Sequence, residues 1–108
     1  MDKLFVYGIF LDEATRKSYN MQNPQYATVA DYATWGSHIV TAHQLSGGNL
    51  ALTGLLVDMP RTILQGNKLV DNWARLDMLE GGYKRIKVKT VQGDDAYMYA
   101  GRSFDGEK

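Results

Sequence analysis

The sequence predicts one α+β domain, rich in strands, and three observations carry that reading. Short apolar runs, such as Lys3 to Tyr7 and Leu50 to Met59, end at glycine or proline and match buried strands. From Leu69 to Glu80 the residues Leu69, Trp73, Leu76 and Leu79 fall at spacings of four, three and three, the pattern of an amphipathic helix. The 108 residues show no internal repeat, linker or low-complexity block, so residues 1 to 108 read as a single domain around one core. Short connections suit an antiparallel or mixed sheet that can curl into a barrel.

Lys3 to Tyr7 is a strand buried on both faces and stopped at Gly8. Asp12 then caps a short helix or turn, with Arg16 and Lys17 suited to its C-terminal end. Asn20 to Gln25, with Pro24 and several amides, reads as a surface loop before one or two strands over Tyr26 to Trp35. His38 to Thr41 is β-like, Gly47-Gly48-Asn49 is a turn, and Leu50 to Met59 is a strand ended by Pro60. Gly54 inside that strand marks a bulge or a group approaching the backbone closely. Leu69 to Glu80 is the best helix, closed by Gly81-Gly82 in the left-handed conformation. Tyr83 to Val91 and Ala96 to Gly101 are strands joined by the hairpin loop Gln92 to Asp95, before a polar, fraying tail over Ser103 to Lys108.

Composition narrows the function classes. Twelve Lys plus Arg balance twelve Asp plus Glu, which argues against a general nucleic-acid or membrane-surface binder and favours a small molecule or a protein as partner. With no cysteine, disulfides, thiolate nucleophiles and Cys-based zinc sites are excluded. No apolar run approaches the roughly 20 residues needed to span a bilayer, and the N-terminus lacks a secretory signal pattern, so a cytoplasmic location is expected.

Gly8 stands where a buried strand releases the chain, a point where backbone N–H groups can meet an anion; the plain alternative is a strand-to-turn glycine. Glu80 lies at the negative end of the helix dipole, where its ionised form is disfavoured and burial would raise its pKa further. A carboxylate so placed suits general acid/base work, against the alternative of a solvated glutamate at a frayed helix end. Asp77 reads as a surface charge on a neighbouring helix face. His38 and His43 are not spaced as metal ligands, no G-x-S-x-G elbow is present, and no metal or cofactor is expected. Alternation puts Arg85, Lys87 and Lys89 on a solvated strand face with Ile86 and Val88 opposite, and it turns Tyr83 outward with Arg85 unless the strand starts or bulges after it. The same basic strand gives a weaker nucleic-acid reading. Tyr97 and Tyr99 share one face of the last strand, able to pack a core or line a pocket.

Phe5-Val6-Tyr7-Gly8, then Leu76-Asp77-Met78-Leu79-Glu80-Gly81, Tyr83-x-Arg85 and Ala96-Tyr97-Met98-Tyr99 follow one another in an order that resembles the gamma-glutamylcyclotransferase-like superfamily, most of all its gamma-glutamylamine cyclotransferase branch. The similarity runs from residue 4 to about residue 100 and includes the strand Leu52 to Val57 ahead of a proline. It implies a small mixed β-barrel with flanking helices and a pocket at its mouth. It also implies an acyltransferase or lyase activity that turns a gamma-glutamyl compound into 5-oxoproline and an amine, without a cofactor. Glu80 maps onto the family's acid/base residue, Tyr7, Gly8, Ile9 and Phe10 onto its substrate-binding turn, and Tyr83 and Tyr97 onto aromatic positions near the pocket. Ile9 and Phe10 depart from the hydroxyl-bearing residue common in that turn, which leaves a second function class: a non-catalytic module binding a small molecule or protein on the same fold.

Overall fold

The structure is a computed structural model and describes residues 2–30, 32–35, 38–41, 51–81 and 83–101. Its main sheet is mixed and five-stranded. Strand β1 (Asp2–Val6) occupies the middle because Leu4, Phe5 and Val6 are buried consecutively, as a strand covered on both faces requires. It pairs antiparallel with β5 (Ala51–Met59) and parallel with β9 (Asp95–Gly101). The outer strands are β2 (Gln22–Ala30), against β5, and β8 (Tyr83–Lys89), against β9. Among the described residues two further hairpins pair β3 (Tyr32–Trp35) with β4 (His38–Thr41), and β6 (Thr62–Gln65) with β7 (Lys68–Asp71).

Among the described residues the sheet stays open, with β2 and β8 as its edges. The edges approach each other after β8, where Val91 N donates to Thr28 O (2.7 Å) and Thr28 N donates to Gln92 Oε1 (3.5 Å). One face of the sheet carries an apolar cluster whose buried members come from the strands, including Phe5, Val29, Leu56 and Met98. The other face carries Leu4, Val6, Met59 and Tyr99, covered by Phe10, Met21, Trp73 and Leu76 from the turns and helices.

The first helix, α1 (Glu13–Ser18), has Asp12 as its cap, the side chain accepting from Thr15 N, and Arg16 and Lys17 in its last turn, as the sequence led us to expect. The close approach expected at Gly54 is present: a Cβ there would stand 2.2 Å from Val6 O and 3.0 Å from the Phe5 ring. No helix among the described residues is long and apolar enough to cross a membrane.

Several boundaries differ from the sequence reading. The helix α2 (Asn72–Leu79) starts three residues late because the Asp71 carboxylate accepts from Trp73 N and Ala74 N and fixes the start there; Leu69 belongs instead to β7, paired with Leu64 and exposed. That helix ends on Glu80, and Gly81 does not take the left-handed conformation. The loop expected over Asn20 to Gln25 is already strand from Gln22, with a register shift between Gln22 and Gln25 that admits Pro24 on a sheet edge. Strand β8 stops at Lys89 because Thr90 opens the turn, Thr90 N donating to Asp94 O and Gly93 N to Thr90 O. The readings on His43, Gly47 to Asn49, Gly82 and the tail from Ser103 lie outside the described residues.

Candidate functional site

The site is built where β1 and α2 release the chain. After Val6 the backbone turns at Gly8 (φ 64°) into a short 3-10 turn, Gly8–Leu11. Helix α1 clamps this turn: Arg16 Nη1 donates to Phe10 O (3.0 Å) and Leu11 O (2.7 Å). Phe10 is a core side chain, meeting Tyr19 edge to face at 5.7 Å, and its N–H donates to Tyr7 O (3.4 Å). The N–H groups of Gly8 and Ile9 open the turn, where helical geometry supplies no partner within the turn.

At the other end of the site Glu80 closes α2. Its N–H donates to Leu76 O (2.9 Å), and its carbonyl accepts from Tyr83 N (2.8 Å), which reverses the chain into β8. The Glu80 side chain is partly buried, and that burial pushes its carboxyl above the usual range. Tyr7 and Tyr99 feel the same group. Burial raises the Tyr7 phenol well above its ordinary value, and the Glu80 and Tyr83 charges add to the effect. Tyr99 is raised likewise, by burial, then by its bond to Asp77, with Glu80 contributing and Arg85 opposing. Tyr7, Glu80, Tyr83 and Tyr99 therefore form one electrostatically coupled group.

Hydrogen bonds hold this group in place. The Tyr7 hydroxyl donates to Tyr99 O, the Tyr99 hydroxyl donates to Asp77 Oδ1 (2.5 Å), and Arg85 Nη1 stands 3.6 Å from the same oxygen. The Arg85 guanidinium lies over the Trp73 ring (4.7 Å) and the Tyr97 ring (5.5 Å). Asp77, expected as a surface charge, thus links β8, β9 and α2. Arg85 is no simple solvated residue either: the strand face that alternation assigns to it is the face α2 covers. Cross-strand pairing of Tyr83 with Gly101 and Arg85 with Tyr99 keeps Tyr83 on that face, so it packs against the core with no bulge.

Of the sequence-predicted site residues, the structure brings Tyr7, Glu80 and Tyr83 together, with Gly8 and Ile9 following Tyr7 in the chain. Phe10 supports the turn from the core and has its N–H and carbonyl engaged within this region. Tyr97 stands apart, edge to face with Trp73 at 5.3 Å and beside Arg85 and Lys87. Tyr99 and Asp77 were missed as site residues. The signal for them was the shared face of Tyr97 and Tyr99 and the position of Asp77 one helical turn before Glu80.

Chemically the group's one carboxylic acid is Glu80. The Tyr7 and Tyr99 phenols are held protonated by their surroundings, and Asp77 is engaged by Tyr99 and Arg85. Glu80 is left as the carboxyl that burial raises above the usual glutamate range.

No protein-family model and no curated protein matches the chain. Among solved structures it is similar to the uncharacterized protein PH0828 from Pyrococcus horikoshii, with 14% identity and a TM-score of 0.61 over 94% of this chain and 78% of that one. It is also similar to At3g28950.1 from Arabidopsis thaliana, with 18% identity and a TM-score of 0.67 over 96% of this chain; the match spans 64% of the plant protein. At these identities the likeness concerns the fold alone.

Proposed function

We propose that this chain is a gamma-glutamyl(amine) cyclotransferase on a gamma-glutamylcyclotransferase-like fold, with Glu80 as general acid/base. In this reading the Glu80 carboxylate takes a proton from the substrate α-ammonium, and the freed amine attacks the substrate's own γ-carbonyl carbon. The new C–N bond closes a five-membered ring. Glu80 then returns the proton to the departing nitrogen as the old C–N bond breaks, and the extra proton of the ring nitrogen passes by way of the same carboxylate to the released amine, giving 5-oxoproline and an ammonium product. An intramolecular attack needs a correctly folded substrate more than an enzyme nucleophile, which accords with a chain that has no cysteine. The N–H groups of Gly8 and Ile9 would receive the substrate carboxylate or the oxyanion. Tyr7 and Tyr83 would form the wall beside Glu80, and the Tyr7 phenol, raised by burial, would not compete for the proton.

The observation that carries this reading is the partly buried Glu80 carboxyl, raised by burial and electrostatically coupled to Tyr7 at the end of β1. The test is to incubate the chain with a panel of gamma-glutamyl amines and peptides and to measure 5-oxoproline and released amine in equal amounts. Glu80→Gln is expected to abolish release while circular dichroism stays unchanged. Undiminished turnover in that variant would remove Glu80 from the mechanism, and no product from any substrate would remove the activity.

A further inference from the structure

A second region of the molecule, away from Glu80, carries its own chemistry. Two neighbouring clefts of about 720 and 370 Å³ share Asp2 and Tyr97 as lining residues. The larger lies between the start of β1 and the β8–β9 hairpin, and its size is that of ordinary small-molecule sites. Together they are lined by five cationic side chains, Lys3, Arg61, Arg85, Lys87 and Lys89, against three carboxylates, Asp2, Asp71 and Asp95.

The carboxylates are already engaged. Asp2 accepts from Arg61 Nε (2.9 Å), Arg61 Nη2 (3.1 Å) and Trp73 Nε1 (2.9 Å). Asp71 caps α2, and Asp95 pairs with Lys89 at 3.1 Å. Lys3 pairs with Asp58 (2.8 Å), and Arg85 reaches Asp77 only at 3.6 Å. Among the described residues Lys87 has no carboxylate partner: its ammonium sits 5.8 Å from the centre of the Tyr97 ring. Cross-strand pairing of Lys87 with Tyr97 puts both on one sheet face, between Arg85 and Lys89 on the same strand. A compact ammonium with no carboxylate beside it is a point-charge partner for a phosphate oxygen, whereas the planar Arg61 fork is occupied by Asp2.

We propose that this cleft is a second binding site, for a small organic phosphate, with Lys87 as the seat of the oxyanion and the Tyr97 ring as the surface for the ligand's flat or apolar part. The site is distinct from the Glu80 group, since neither cleft is lined by Glu80, Tyr7 or Tyr83, and of the residues the resemblance assigns to substrate only Tyr97 lines them.

The test is a titration of the full chain with inorganic pyrophosphate, followed by amide NMR shifts at low ionic strength. Saturable shifts are expected at Lys87, Val88 and Tyr97. Lys87→Ala should weaken binding about tenfold, the effect of losing one charge-assisted contact. Lys87→Met, which keeps the aliphatic stem, should behave in the same way. Lys84→Ala removes the same charge from the opposite face of β8 and should change the affinity by less than about twofold. Absent or unsaturable shifts, shifts centred elsewhere, or equal weakening by Lys84→Ala and Lys87→Ala would overturn the proposal.

Discussion

Asn72 opens the helix that carries Asp77 and Glu80, and it is fully buried. Its Nδ2 donates to Tyr19 O (2.8 Å) at the end of α1 and to Pro60 O (3.1 Å) at the end of β5; its Oδ1 accepts from Arg75 Nη1 (3.0 Å). Asn72→Ala leaves two carbonyls without that donor. Each such carbonyl costs about 1–3 kcal/mol, so a loss of roughly 2–4 kcal/mol is expected after partial entry of water. Arg75 contributes little to the loss, since it keeps Ser18 O (3.1 Å) and the Tyr19 ring (4.7 Å). Urea unfolding followed by circular dichroism should show a lower midpoint at an unchanged slope, and melting should fall by roughly 10–30 °C at about 4–8 °C per kcal/mol.

Asn72→Asp separates hydrogen bonding from shape. The side chain keeps its volume but presents a carboxylate to two carbonyl oxygens, with Arg75 and the start of α2 as favourable neighbours. At pH 7 it should destabilise at least as much as Ala. Burial and the two carbonyls raise the new carboxyl's folded pKa, so the folded state holds its proton longer than the unfolded chain does. Stability is then lost as pH rises through that pKa and recovered on acidification. A loss below about 1 kcal/mol for Ala, or an Asp variant more stable than Ala at pH 7, would refute the account of Asn72 as the anchor of α2.

Glu80 makes a related prediction with the same sign. Its folded carboxyl is raised by burial, so stability is fully present below the ordinary glutamate range and declines as pH rises through the folded value. Glu80→Gln has no such decline: urea midpoints should match the parent at pH 4 and exceed it at pH 8, and parallel curves would show that the carboxyl is not strained by burial. For Gly54→Ala, the added Cβ meets a backbone oxygen at 2.2 Å, so β1 and β5 must separate locally. A loss on the order of 1–3 kcal/mol is expected in the same assay, and unchanged stability would show that the strands part there freely.

The fold was legible where local chemistry acts on neighbouring residues. Asp12, three residues before Thr15, has the spacing of a cap, and it caps. The run Leu4 to Val6 permits only a covered strand, and it is central. The reading failed where two periodicities overlap: Leu69 continues the helical spacing of Trp73, Leu76 and Leu79, yet it pairs with Leu64 across a hairpin. The signal that separates them is the pair Gly66-Asn67 between Thr62 to Gln65 and Lys68 to Asp71, a two-residue turn between β-prone runs. The cap at Asp71 then decides the helix start, since its carboxylate satisfies two of the first N–H groups.

The candidate site divides along the same physical line. The position of Glu80 at a helix end before two glycines is a local fact, and the structure keeps it at that end. Its neighbours are set by sheet order, which a single sequence does not fix: β9 lies beside β1 only through a parallel pairing across most of the chain, and that pairing brings Tyr99 O to the Tyr7 hydroxyl. The same placement changes what alternation means on β8. Alternation correctly puts Tyr83, Arg85 and Lys87 on one face, but solvent is assigned to that face only if nothing packs there. Helix α2 does pack there, so Arg85 lies over Trp73 and Tyr97 and reaches Asp77, while Lys87, farther along the strand, stands 5.8 Å from the centre of the Tyr97 ring and lines the larger cleft. A strand face that looks merely soluble in sequence thereby becomes both the support for Glu80 at one end and a charged cleft at the other.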